Sequence, residues 1–273
     1  IRDLFQCMAV NKKMREIAND PSFWNKMHID GVNFEADFPA ELLSQIIAKG
    51  CQYLSLFNCQ IVKPKAIRFA KNFQLKYLCI DRSNGIDYAN YEFNEADVHD
   101  SSFNILPDFA ASCHNLEKLS IKLVNPLYPE ISQIELKFFK CIIQNSDTIK
   151  VLNLTEIELS LASVQCIFML CQNLAELNIA ADHCMTSNTQ LCPESVDFIC
   201  NNLTTTIEKL DITGQLSFGD DGFKTLIKRC NRISELSFFG TNVTPDSMNT
   251  ITIYDFWIFK VPFVCSFASY FDF

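Results

Sequence analysis

A short pattern built around one leucine recurs along the chain, and it constrains the fold more than any other feature. Three segments share the form Cys-x-x-[Leu/Ile]-x-x-Leu-x-[Ile/Phe]: CHNLEKLSI at 113–121, CQNLAELNI at 171–179 and CNRISELSF at 230–238. The same frame without the cysteine occurs at 72–80, 146–154 and 204–212, and a shorter relative occurs at 51–59. Such self-similarity is typical of solenoid proteins, whose units bury a continuous core only when they stack.

The central leucines of these segments give the length of the repeat. They are Leu54, Leu78, Leu119, Leu152, Leu177, Leu210 and Leu236, separated by 24, 41, 33, 25, 33 and 26 residues. Most of these intervals lie at or modestly above the roughly 20–29 residues of leucine-rich repeats. The interval of 41 contains the polar, acidic stretch 81–102, which we interpret as a loop insertion.

Each repeat combines a strand pattern with a helix pattern. The alternation in Leu119-Ser120-Ile121 predicts a short strand with one buried face. Helical patterns lie between the strands, and several begin with Pro or Asp, as helices prefer; they cover 40–50, 64–73, 134–146, 161–171, 193–203 and 220–230. The sequence therefore predicts an α/β leucine-rich-repeat solenoid over residues 31–250, a horseshoe of about seven repeats with strands inside the bend.

Residues 1–30 depart from the repeat. Apolar residues fall at helical spacings here, Asp20-Pro21 interrupts the helix, and Phe23-Trp24 provide bulky anchors. On its own, this segment fits a helical cap that seals the first repeat.

The same segment resembles the second half of an F-box. The matching residues are Asp3, Leu4, Cys7, Val10, Lys12, Arg15, Ile17, Ala18, Asp20, Pro21 and Trp24. Met14 and Phe23 depart from the family pattern, which usually has Trp and Leu, but both positions stay apolar. The first F-box helix, normally opened by Leu-Pro, is absent from the sequence, so we expect an F-box truncated at its N terminus. Together with the cysteine-containing repeats, the chain resembles F-box/leucine-rich-repeat proteins over about residues 3–248.

This resemblance implies a function in ubiquitination without catalysis by the chain itself. The F-box would dock on the Skp-type adaptor of a cullin-RING (SCF-type) ubiquitin ligase, and the repeats would bind a protein substrate. On the F-box side, we expect four residues to face the adaptor: Leu4, Cys7, Val10 and Met14. The alternative is a leucine-rich-repeat scaffold or inhibitor that is unrelated to ubiquitin.

The substrate-binding residues are predicted from the strands. Residues that flank a buried leucine point to the opposite, concave face. We expect substrate contacts from Tyr53, Phe57, Tyr77, Lys118, Ser120, Lys122, Asn153, Glu176, Asn178, Lys209, Asp211, Glu235 and Phe239. The aromatic group of Tyr53, Phe57 and Tyr77 is the sharpest feature, because aromatic residues are enriched at interface hot spots. The alternative is that these rings only cover the junction with the cap.

Composition narrows the partners and the compartment. The net charge of -9 and the absence of a Lys/Arg stripe disfavour nucleic acid. Thirteen cysteines without a C-x-x-C pair, and no secretory signal, indicate a reducing cytoplasmic or nuclear compartment. The Phe-rich tail 251–273 is interrupted by charges and Pro262, so we expect no membrane span. That tail is either a terminal cap or a truncated end.

The sequence offers little for catalysis or for a cofactor. Cys113 and His114 are adjacent, and neighbouring side chains in a strand or helix point apart, which argues against a catalytic dyad. His183-Cys184 with Cys192 is half of a conceivable zinc site, but a fourth ligand at the usual spacing is missing. No glycine-rich phosphate loop is present. We therefore expect no enzyme, no metal and no cofactor.

Overall fold

The computed structural model describes residues 10–31, 41–57, 59, 74–81, 110–122, 139–157, 159–181, 190–203, 206–229 and 232–249. The chain divides into two compact units, Ile1–Thr148 and Ile149–Phe273. Both are α/β units in which parallel strands alternate with helices along the chain.

Within the described residues, the first unit contains four strands that pair in chain order. They are β1 (Lys26–Asp30), β2 (Tyr53–Phe57), β3 (Tyr77–Asp81) and β4 (Lys118–Lys122). All three pairings are parallel and in matched register, so Met27, Leu54, Leu78 and Leu119 lie side by side. The helices are α1 (Lys12–Ala18), α2 (Pro21–Trp24) and α3 (Glu41–Ala48), together with helical residues at 110–112 and 139–144.

The second unit repeats this arrangement with shorter strands. They are β5 (Val151–Asn153), β6 (Glu176–Asn178), β7 (Lys209–Asp211) and β8 (Glu235–Ser237). The helices are α4 (Leu161–Leu170), α5 (Pro193–Asn202), α6 (Asp220–Arg229) and α7 (Pro245–Asn249). The strands again pair in parallel and in register, so Leu152, Leu177, Leu210 and Leu236 form one buried row.

The predicted α/β pattern is confirmed at the level of individual elements. All seven central leucines lie in strands and are buried. The helices α4, α5 and α6 begin at the predicted residue and end one residue early. The alternating apolar residues therefore form the buried face of each strand, and this face packs into the core.

Polar side chains connect successive repeats at the turns before the strands. The buried amide of Asn145 donates to the Cys113 carbonyl at 2.9 Å and accepts from the Leu116 N–H at 2.8 Å. The hydroxyl of Thr148 donates to the Leu116 carbonyl at 2.8 Å, and Thr206 donates to Leu174 at the same distance. Each threonine lies 32 residues after its acceptor, so the second contact repeats the first.

One strand was not anticipated. Residues 26–30 were assigned to a helical F-box unit, but they form β1 and pair with β2. The sequence does not predict this strand because Met27 and Ile29 are its only alternating apolar residues, and the segment lacks the leucine pattern of the repeats. The predicted helix at 64–73, most of the insertion at 81–102 and the tail 251–273 lie outside the described residues. None of the helices that the structure describes is long and apolar enough to cross a membrane.

Candidate protein-interaction site

Large apolar side chains are exposed around the first two helices. Val10 is 67% exposed, and Met14, Ile17 and Phe23 are also open. Met14 and Ile17 lie three residues apart in α1, so they share one face of that helix. Large apolar side chains that stay exposed on neighbouring residues of a short segment fit an interaction surface. We call Val10, Met14, Ile17 and Phe23 the apolar helix surface.

The segment Asp20–Trp24 fixes the position of these helices. Asp20 accepts a hydrogen bond from the Ser22 N–H at 2.9 Å, which lowers the pKa of its carboxyl and caps α2. Pro21 opens that helix, where its missing N–H costs nothing. Trp24 is fully buried and donates from Nε1 to the Ala18 carbonyl at 2.6 Å, with the Lys49 ammonium 5.0 Å from the ring centroid. Residues 20–24 therefore form the joint between α1 and β1.

Of the four predicted adaptor-facing residues, two can be located. Val10 precedes α1, Met14 lies within it, and both are exposed. Leu4 and Cys7 lie outside the described residues. The sequence prediction did not include Ile17, although its three-residue spacing from Met14 places it on the same face.

The strand face of the first unit carries a row of cationic and aromatic side chains. Lys26, Tyr53, Tyr77 and Lys118 are register partners across β1 to β4, and we call them the basic-aromatic row. The two tyrosine rings lie 6.3 Å apart between centroids and are tilted by 46°. The Lys118 Nζ lies 5.1 Å from the centroid of the Tyr77 ring, within cation–π range. Tyr53 is 40% exposed, so the pair is open to a partner.

The row stays uncharged at its centre. Burial raises the pKa of Tyr77 to about 12, and the neighbouring Cys79 adds to the shift. The phenol therefore stays protonated well above neutral pH. The sequence prediction omitted Lys26 because β1 itself was not expected; the register with Tyr53 is the signal that finds it.

Two further rows complete this face. His28, Ser55, Cys79 and Ser120 form the middle row, and Asp30, Phe57, Asp81 and Lys122 form the row at the carboxyl ends. Ser120 is only 8% exposed, so little of its side chain is open to a partner, and its role in substrate binding stays a prediction. Phe57 and Lys122 are half-buried.

In the second unit, the predicted charged residues pair with one another. Lys209 lies 2.9 Å from the Glu235 carboxylate and 3.7 Å from that of Glu176. The hydrogen bond from Lys209 to Glu235, followed by the charges of both glutamates, raises the lysine pKa. All three are register partners, so this is a ladder of alternating charge across β6 to β8. Phe239, just beyond β8, is exposed.

The predicted polar contacts at the strand ends already have structural partners. Asn153, Asn178 and Asp211 each end a strand, and each Oδ1 accepts from a backbone N–H two residues later. The donors are Thr155, Ala180 and Thr213, at 3.1, 2.9 and 3.0 Å. Such Asx turns let the chain leave the strand. The two asparagines are also linked, because the Thr155 hydroxyl contacts both Oδ1 atoms.

The thiol of Cys113 lacks the properties of a nucleophile. Cys113 is fully buried, and burial raises its pKa to about 12, so the thiolate is scarce at neutral pH. Burial likewise raises the pKa of Cys51 to about 11 and raises that of Cys141. Within the described ranges no three His, Cys, Asp or Glu side chains cluster as metal ligands. His183 and Cys184 lie outside those ranges.

Comparison with known proteins finds likeness to solved structures only. No model of a known protein family matches the sequence, and no curated protein matches it. The solved structure described as leiomodin-1 actin-binding site 2 is similar at 14% identity, over 51% of this chain and 80% of that one. The TM-score is 0.35, too low to support an argument about fold or function.

Proposed function

We propose that this chain is the substrate-recognition subunit of a cullin-RING (SCF-type) ubiquitin ligase. Residues 10–24 belong to an F-box that docks on the Skp-type adaptor, and the strands and helices that follow form a leucine-rich-repeat horseshoe that holds a protein substrate. The observation that carries the proposal is the apolar helix surface, which exposes Val10, Met14, Ile17 and Phe23 immediately before the repeats.

The physical support lies in how this surface is presented. Trp24, the last residue of α2, is buried and donates to the Ala18 carbonyl at the end of α1, and the Asp20 cap and Pro21 define the turn between the two helices. The large apolar residues beside that joint nevertheless remain open, although turning them inward would stabilise an isolated protein. An exposed apolar surface fits a partner that covers it, which is the role the F-box resemblance assigns to the adaptor.

The proposed mechanism is tethering. The chain makes and breaks no bonds; it raises the effective concentration of a bound substrate near the ubiquitin-conjugating enzyme. The buried thiols of Cys51, Cys113 and Cys141 fit this role, because they are protonated core residues. Their free state also fits a reducing cytoplasmic or nuclear compartment.

The test is co-purification of the full-length protein with a Skp-type adaptor. Met14→Glu combined with Ile17→Glu places two charges on the apolar helix surface and should reduce adaptor recovery at least ten-fold. Met169→Glu is the control, because Met169 is an exposed apolar residue on α4 and should not affect recovery. Circular dichroism checks that each variant is folded.

Two results would contradict the proposal. One is a wild-type protein that recovers no adaptor, which would favour a repeat scaffold or inhibitor unrelated to ubiquitin. The other is adaptor recovery that the double charge substitution leaves unchanged, since the apolar helix surface would then not be the docking site.

A further inference from the structure

We infer that the basic-aromatic row binds an acidic segment of a partner protein in extended conformation. This inference extends the proposed function. It rests on that proposal only in identifying the partner protein as the substrate of the ligase. The row has a lysine at each end and two tyrosines between them, set side by side by the register of four parallel strands. It therefore presents two positive charges separated by an uncharged aromatic pair.

The two lysines at the ends of the row are available to a partner. Other lysines on the strands or beside them are paired: Lys76 lies 3.4 Å from Glu117, and Lys209 lies 2.9 Å from Glu235. Among the described residues, by contrast, no carboxylate is within salt-bridge distance of Lys26 or Lys118. Lys118 instead leans over the Tyr77 ring, an interaction that holds its ammonium beside the aromatic pair.

The spacing of the row sets the spacing of the ligand. Four adjacent strands place Lys26 and Lys118 three strand separations apart, which is about 14 Å. An extended peptide advances about 3.4 Å per residue, so about four residues span the same distance. A peptide that crosses the strands therefore reaches both lysines when its carboxylates are four residues apart. A flat or aromatic side chain midway between them then lies over the Tyr53 and Tyr77 rings, which favour stacked or edge contacts.

The charges around the row favour a short acidic segment over nucleic acid. Asp30 and Asp81 lie on the same face four residues further along their strands, and the whole chain carries a net charge of -9. A continuous phosphate backbone would meet those carboxylates, but a short acidic segment confined to the row would not.

The experiment measures binding of a defined peptide by fluorescence anisotropy. The probe is a fluorescein-labelled nine-residue peptide with a pair of glutamates on each side of a central tyrosine and glycines at the other positions. Lys26→Glu with Lys118→Glu should raise the Kd at least ten-fold. Lys140→Glu with Lys228→Glu is the matched control, because these lysines are exposed on helical segments and the change in net charge is identical. The control should stay within two-fold of wild type.

Two further measurements distinguish specific binding of the acidic peptide from general electrostatic attraction. Replacing the four glutamates of the peptide by glutamine should abolish measurable binding, and Tyr53→Ala should weaken binding of the acidic peptide at least three-fold. The inference is overturned if the control variant loses as much affinity as the row variant, if the glutamine peptide binds equally well, or if a 20-nucleotide oligothymidylate binds more tightly than the acidic peptide.

The same proteins distinguish this inference from the ligase proposal. The Lys26→Glu/Lys118→Glu variant should recover the Skp-type adaptor as well as wild type does, because the row and the apolar helix surface use different residues. If wild type recovers the adaptor but does not bind the acidic peptide, only the acidic-segment inference is overturned. If wild type binds the acidic peptide but does not recover the adaptor, only the assignment to a ubiquitin ligase is overturned.

Discussion

The side-chain amide of Asn145 donates a 2.9 Å hydrogen bond to the carbonyl oxygen of Cys113, a residue 32 positions earlier in the chain. The same amide group donates to the Cys141 carbonyl at 2.8 Å, and its oxygen accepts from the Leu116 N–H. One buried side chain thus satisfies three backbone groups that belong to two successive repeats. The cysteine that marks the repeat is a packing residue, and its backbone carries the contact.

Asn145→Ala is expected to destabilise the protein by about 3 kcal/mol, because each buried backbone group left without its partner costs about 1–3 kcal/mol and relaxation recovers part of that. Equilibrium urea unfolding measures the change. Asn201→Ala is the control; its amide bonds only to the Asp197 carbonyl on the exposed side of α5, so the expected loss is under about 0.5 kcal/mol. A loss below about 1 kcal/mol for Asn145→Ala would contradict the role given to this residue.

The parts of the fold that follow from apolar periodicity could be predicted from the sequence. The seven central leucines and the bounds of α4, α5 and α6 are of this kind, because burial of one face imposes a regular pattern. Asn145 could not be predicted, since its three partners are brought together only by stacking of repeats.

The candidate site divides in the same way. Tyr53, Tyr77 and Lys118 were found by alternation along a strand, whereas Lys26 requires the pairing of β1 with β2. Alternation also places Ser120 on the same strand face, but it does not predict that only 8% of this residue is exposed. The Asx turns of Asn153 and Asp211 depend on the residue at which each strand ends. Apolar alternation in the sequence does not define that residue.

Two glycines with similar backbone angles should respond differently to alanine. Gly31 and Gly214 have φ of 63° and 76°, a region that L-residues avoid. Among the described residues, a Cβ at Gly31 would meet nothing within 4 Å, whereas one at Gly214 would overlap the Ala181 carbonyl oxygen. Gly31→Ala should therefore cost only the backbone penalty of about 1 kcal/mol, and Gly214→Ala about 3 kcal/mol or more. Thermal and urea unfolding measure both; equal losses would mean that the close approach at Gly214 relaxes freely.

Trp24 is expected to dominate the stability of the segment before the repeats. Trp24→Ala removes a fully buried ring and should cost about 3–5 kcal/mol. Trp24→Phe keeps most of the volume but loses the hydrogen bond to Ala18 and the best partner for Lys49, so about 1–2 kcal/mol is expected. The adjacent, exposed Phe23 provides the control, since Phe23→Ala should change the free energy of unfolding by less than about 1 kcal/mol. If Phe23→Ala lowered the free energy of unfolding more than Trp24→Ala, Phe23 would be the buried anchor of this segment, and Trp24 would not.

The thiol of Cys113 should make stability fall at alkaline pH. Burial raises its pKa from an ordinary value of 9.0 to about 12 in the folded protein. Between those two values the unfolded chain has released the proton and the folded chain has kept it, so the unfolded state binds fewer protons and stability falls as pH rises. The contribution is fully present below pH 9 and should reach a loss of about 2 kcal/mol near pH 10.5, at 1.36 kcal/mol for each pH unit.

This loss is measured by comparing slopes of unfolding free energy against pH from 7 to 10.5. Cys113→Ala leaves a small cavity and is less stable at pH 7, but its stability should fall less steeply above pH 9 than that of wild type. Cys192→Ala is the matched control, because Cys192 is exposed and its removal should leave the slope unchanged. If wild type and Cys113→Ala decline in parallel, the Cys113 thiol ionises as readily in the folded protein as in the unfolded chain, and its assignment as an inert repeat residue is lost.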